Sequence, residues 1–168
     1  MIEPMDIYNA DKKPTGQCVE RAEAFMHEGQ YLMYVLAIIQ NAEGKFLITQ
    51  RALDKHWAAG WWEITGGGVR AGEASFDAVL REIGEETGLD PYGCEPELVY
   101  TYRNDDPEGG DNYFVDMYRC VLDFNEGDVT LLQSEAIDFK LVTWDDIVAL
   151  HEKGIFLHFD RVRRALGK

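Results

Sequence analysis

Positive charge is what this chain is short of. It carries 16 Lys and Arg against 31 Asp and Glu, for a net charge of −15 at pH 7. Phosphate backbones are gripped by basic surfaces, so a nucleic-acid polymer is not an expected partner. Long apolar runs are lacking too. No stretch approaches the ~18 apolar residues of a membrane helix, so no membrane partner is expected. The opening MIEPMDIYNADKK has no basic segment followed by an apolar one, as a secretory signal would. The default compartment is therefore the cytoplasm. Cysteine is scarce: Cys18, Cys94 and Cys120 are odd in number, far apart, and show neither metal-ligand spacing nor a disulfide framework. They read as reduced thiols filling core or surface. Repeats and low-complexity linkers are missing. What is present, 168 residues of which 46% are hydrophobic, suits one domain with a single core.

Residues 1–29 are polar and irregular and read as an extension packed on a domain spanning 30–168. Within the extension, YNADKKPTGQ reads as a turn-rich edge or hairpin, and VERAEAFMHEGQ fits a short helix or a strand equally well. YLMYVLAIIQ is a continuous apolar run of strand length. Asn41-Ala42-Glu43-Gly44 makes a turn, and KFLITQR alternates, so the two strands read as a hairpin. PELVYTYR, DNYFVDMYRCVLD and DFKLVTW are strand-like. WDDIVALHEKG reads as a helix with Asp145 near its start and Gly154 just past its end, and HFDRVRRALGK as another. Strands and helices mixed in this order predict an α/β or α+β fold, layered around a mixed sheet.

The chemistry concentrates between Gly67 and Leu89, GGVRAGEASFDAVLREIGEETGL. Phe76, Val79, Leu80 and Ile83 recur at helical spacing and predict a helix from about Ala74 to Thr87. Gly88 stands where a left-handed cap is wanted. Glu82, Glu85 and Glu86, three and four residues apart, share one arc bordering the apolar face. Arg81 precedes Glu85 by four residues and can hold it. Glu73 suits the positive end of the helix dipole. Gly66, Gly67 and Gly68 permit a tight turn that brings carbonyls near the same point. Four glutamates within fourteen residues repel one another, and packing does not reward the crowding. A divalent cation does, and hard oxygen ligands select Mg²⁺ or Mn²⁺ over zinc.

The run resembles the Nudix box: glycine, five residues, glutamate, seven residues, Arg-Glu, an aliphatic residue, any residue, Glu-Glu, any residue, glycine, an aliphatic residue. Gly67, Glu73, Arg81, Glu82, Ile83, Glu85, Glu86, Gly88 and Leu89 fill every specified place. The resemblance implies a Nudix-like α/β/α sandwich with a mixed sheet. It implies Glu82 and Glu86 as core metal ligands, Glu85 as a further ligand or the base, the Gly67 carbonyl joining them, and Glu73 supporting Arg81. It also implies that Glu135, in the loop LLQSEAIDF, is an extra ligand or the general base.

Arg51, Trp57 and Trp62 are further substrate candidates. Arg51 ends KFLITQR and could grip phosphate oxygens with its planar fork or pair with the acidic helix. Two adjacent tryptophans on a strand, Trp61 and Trp62, point to opposite faces. One of them belongs to the core, and the other, or Trp57 in the loop before them, could stack on a base. The acidic loop Asn104 to Asn112 is flexible by composition and reads as a lid or a solvated hairpin connection.

The implied reaction is Mg²⁺-assisted hydrolysis of a diphosphate bond in a nucleoside diphosphate linked to a second moiety, X. Glu85 or Glu135 would take the proton of the attacking water. The expected partner is a small phosphorylated molecule, and family resemblance adds a homodimer. A nucleotide-sensing module is the main alternative, though such domains lose box glutamates and this chain keeps all of them. The opening portion also resembles the branch containing isopentenyl diphosphate isomerase. That enzyme uses a cysteine just upstream of its box, where this chain has WWEITGGGV. A decapping enzyme is disfavoured by the acidic charge.

Overall fold

A computed structural model describes residues 2–168. The N-terminal segment folds into an antiparallel hairpin, β1 (Pro4–Tyr8) and β2 (Pro14–Glu20). Asn9 closes its turn by accepting the backbone N–H groups of Asp11 and Lys13, the local bond that suits asparagine to turns. After β2 the ambiguous stretch makes one 3-10 turn, Arg21–Glu23, and then runs irregularly.

The body is a mixed sheet between helices. Its strands are β3 (Leu32–Gln40), β4 (Phe46–Arg51), β5 (Trp62–Glu63), β6 (Thr65–Gly68), β7 (Glu97–Asn104), β8 (Tyr113–Val121) and β9 (Ala136–Val142). The order is β5-β4-β3-β8-β7, with β6 also on β3 and β9 also on β4. β3 runs parallel to β8 along its whole length, from Leu32↔Tyr113 to Gln40↔Val121. Helix α1 (Ser75–Thr87) covers one face, where Ala78, Val79 and Ile83 meet Val35, Ala37 and Ile39 of β3. Helices α2 (Trp144–Glu152) and α3 (Phe159–Ala165) cover the other, where Ile147 and Val162 pack with Ile38 and Ile48. A strand buried on both faces has no need of polar alternation, which is why β3 reads as an unbroken apolar run.

Three expectations are corrected. β3 and β4 pair only at Gln40↔Phe46, because the glycine strand β6 takes the adjacent edge of β3 from Tyr34↔Gly68 to Ala37↔Thr65. Cys94 and Cys120 are joined in a disulfide, leaving Cys18 free and exposed. They lie 26 residues apart in sequence, so spacing could not reveal what β8 and the segment before β7 bring together. Phe76 is 41% exposed. It sits in the first turn of α1, where its ring meets Tyr118 edge to face.

The hairpin is fastened to the body by Met5 and Ile7, buried with Met26 and Leu32, and by a charge pair. Lys12, near its tip, reaches Asp116 on β8 at 2.5 Å, and that carboxylate, 3% exposed, also accepts from Thr101. Removing one member of a fully buried pair costs ~3–5 kcal/mol. Lys12 reaches solvent, so Lys12→Met should cost about 2 kcal/mol, read as a lower urea midpoint. An unchanged midpoint would show that the pair does not hold the hairpin.

Candidate active site

α1 begins without a side-chain cap at Ala74 and ends on Gly88 in the left-handed region, at φ 72°. A side chain would be strained there. This thirteen-residue helix presents its acids to a cavity of about 850 Å³, over β3, β6 and β8. Glu63, Glu82, Glu85, Glu86 and Glu135 all line it. β6 passes directly beneath the carboxylates. A Cβ on Gly67 would overlap the Glu82 carboxylate, so the box glycine is required by close approach rather than by turn geometry. The Gly66 N–H points to Glu86 Oε2 at 3.4 Å.

Arg81 organises the cluster without lining the cavity. Its fork donates to both oxygens of Glu73 at 2.8 and 2.9 Å, to Glu82 at 2.8 Å and to the Gly68 carbonyl at 2.9 Å. The expected Arg81–Glu85 contact is the longest of the set, 3.3 Å, and Glu85 is left 45% exposed and free to turn. Arg81 therefore reads as a positioning residue. Glu73, drawn onto Arg81 and the Arg70 N–H, has a lowered pKa despite its burial.

The acids themselves are unsettled. Burial, then the charges of Glu82 and Glu63, push Glu86 well above the ordinary carboxylate range. Burial raises Glu82 as well, against the pull of Arg81. Burial also raises Glu63, against Arg51. Among the described residues no three acidic, histidine or cysteine side chains already converge closely enough to enclose an ion. Glu82 is turned toward Arg81, and Glu86 toward Gly66. The donor set is nevertheless all oxygen and mutually repelling, with Glu82 and Glu86 largely buried, which fits a hard divalent cation.

Two cations also line the cavity, each paired with an acid. Arg51 pairs with Glu63 at 3.1 Å, donates to the Trp57 carbonyl and lies over the Trp57 ring at 5.5 Å. Lys55 pairs with Glu135 at 2.6 Å. The structure thus brings Arg51, Trp57 and Glu135 to the cavity along with the box acids. Trp62, an expected substrate contact, is corrected: it is 5% exposed in the core. Its backbone is clamped between Ile155 and Leu157, by bonds through Trp62 N and Trp62 O. Sequence reasoning missed Glu63, Lys55 and His158. Glu63 was legible in principle, since alternation turns it away from Trp62 and into the cavity. His158 carried no signal. It adopts φ 59° before α3, and burial followed by the charges of Arg51 and Arg161 lowers its pKa, favouring a neutral imidazole. The loop Asn104 to Asn112 is a pinned hairpin connection: Asn112 bonds to Asp106 N and His27 O, and Gly110 O accepts from Met26 N.

The sequence match agrees with this geometry. A NUDIX domain model matches residues 30–162. An uncharacterized Nudix hydrolase of Listeria monocytogenes is 29% identical over 94% of this chain and 90% of its own. An isopentenyl-diphosphate Delta-isomerase of Burkholderia multivorans is 36% identical, over only 61% of this chain and 58% of its own. Among solved structures, the NUDIX domain of Shewanella oneidensis NrtR, complexed with ADP ribose, superposes with a TM-score of 0.61 at 20% identity, covering 81% of this chain and 88% of that one. Complete box, layered fold and family match coincide, and the chain belongs to the Nudix hydrolase family, whose enzymes are pyrophosphohydrolases.

Proposed function

We propose that this protein hydrolyses the diphosphate bond of a nucleoside diphosphate linked to a second moiety, with Mg²⁺ or Mn²⁺ as cofactor. The observation that carries the reading is one cavity lined both by the α1 glutamates Glu82, Glu85 and Glu86 and by Arg51 and Lys55, each of these cations paired with a further glutamate, Glu63 and Glu135. Acids alone would repel a diphosphate and cations alone would only bind it. Glu82, Glu86 and the Gly67 carbonyl would hold the cation, with Glu85 beside them, and it would supply neutralisation of the diphosphate charge and acidification of a water. Glu85, exposed and loosely held, or Glu135, after release from Lys55, would take the proton of the attacking water. Arg51 would then be free to grip phosphate oxygens in place of Glu63. Arg81 keeps Glu82 aimed while the substrate enters.

Isomerisation of isopentenyl diphosphate has less support. Cys18 lies on the exposed hairpin, Cys94 and Cys120 are bonded, and none of the three lines the cavity. The test is chromatographic detection of the cleaved or rearranged products, with Mg²⁺ and with Mn²⁺, from nucleoside di- and triphosphates, nucleotide sugars, dinucleotides and isopentenyl diphosphate. At least one nucleotide should be cleaved, and isopentenyl diphosphate should not be rearranged. Silence on every nucleotide would end the hydrolase reading and favour a sensor.

A further inference from the structure

The cavity extends beyond the acids and the phosphate-binding cations, and its other end has a different chemistry. Along β6, Gly66 faces Glu86 and lies opposite Leu36, while Gly68, two residues on, lies opposite Tyr34. Two strand residues span roughly 7 Å, about the reach from a phosphate to the far end of its sugar. At that distance the walls become aromatic. Tyr34 meets Tyr113 edge to face at 5.4 Å, and Tyr102 stands nearby on β7. The N-terminal hairpin closes this end. Arg21, just after β2, lies over the Tyr34 ring at 5.1 Å and holds Glu3 by two long contacts of 3.3 Å. Asp111, from the pinned loop, completes the rim.

We infer that the Tyr34–Tyr113 end, covered by Arg21, is the binding site for a nucleobase, and that the N-terminal hairpin therefore helps set substrate specificity. This deepens the hydrolase reading and rests on it. A planar heteroaromatic ring stacks on tyrosine and bonds through its edge to phenols, a guanidinium and carboxylates. A prenyl chain would bury those same polar groups without partners. The 3.3 Å Arg21–Glu3 contacts are weak enough to be exchanged for a ligand edge.

The experiment is calorimetric, on the full chain with Mg²⁺ present. The probes are nucleoside monophosphates, ribose 5-phosphate and isopentenyl monophosphate, none of which has a diphosphate bond to cleave. At least one nucleoside monophosphate should bind about tenfold or more tighter than ribose 5-phosphate, as expected of one base stack. Tyr34→Leu should erase the difference, and Arg21→Met, at a residue 43% exposed, should narrow it with the fold intact. Equal binding of all nucleotides and ribose 5-phosphate overturns the inference without any variant, as does a preference for isopentenyl monophosphate. Because binding is read without turnover, the two readings fail separately. Cleavage of nucleotides without base preference sinks the inference alone, and base preference without cleavage sinks the hydrolase alone.

Discussion

Glu86→Gln should lower diphosphatase turnover by more than the ~100-fold typical of losing an outer-shell partner of a metal site, while leaving the fold intact. Glutamine keeps the shape and an oxygen for the Gly66 N–H but removes the charge a cation requires. Stability should move the other way. In the metal-free protein, burial and the neighbouring Glu82 and Glu63 charges raise the Glu86 pKa. Such a group contributes stability that is fully present below the unfolded value, ~4.3, and is lost as pH rises through the folded value. The metal-free protein should therefore lose stability across that window, and Glu86→Gln should flatten the slope. Near-normal turnover in the variant would remove Glu86 from the metal site. A steeper slope would contradict the electrostatic account of its burial.

Arg81→Met should be the most destabilising single change in the box. Arg81 is 16% exposed and its bonded partners Glu73 and Glu82 are 17% and 11% exposed. Loss of the guanidinium strands two largely buried carboxylates and the Gly68 carbonyl together, which costs ~3–5 kcal/mol. For a chain of this size that is a fall of about 10 °C in melting temperature. Arg81→Lys should recover only part of it, since one ammonium cannot fork to Glu73, Glu82 and a carbonyl at once. If Arg81→Lys melts with the wild type, the fork geometry is not what aligns Glu82. A thermal melt of both variants decides this.

The two tests probe the part of the molecule that was most legible beforehand. The box could be read because its spacing is local: one helix carries Arg81, Glu82, Glu85 and Glu86, and helical period alone places them on one arc. The glycine turn was legible for a similar reason, although its cause differs. Gly67 is there because Glu82 lies against it, a contact with a residue fifteen positions on that no local rule anticipates. Strand existence was visible from apolar runs, but pairing was not. The turn Asn41-Gly44 suggested a full hairpin, whereas β3 gives its length to β6 and to parallel β8. Parallel pairing leaves no turn in the sequence to read. The Cys94–Cys120 bond and the convergence of Lys55, Glu63 and His158 on the cavity are likewise products of long-range closure. The hairpin's part in the cavity was hidden because Arg21 and Tyr34 meet only after the hairpin folds back over β3.

In the proposed reaction the α1 acids act through a bound divalent cation. The most direct measurement takes the preferred nucleotide substrate, strips the protein exhaustively with chelator, and titrates Mg²⁺ and then Mn²⁺ back while formation of the cleaved nucleotide product is followed. Turnover should vanish on chelation and return with either ion in the wild type, and should not return in Glu86→Gln. Full turnover in the chelated protein would contradict the account.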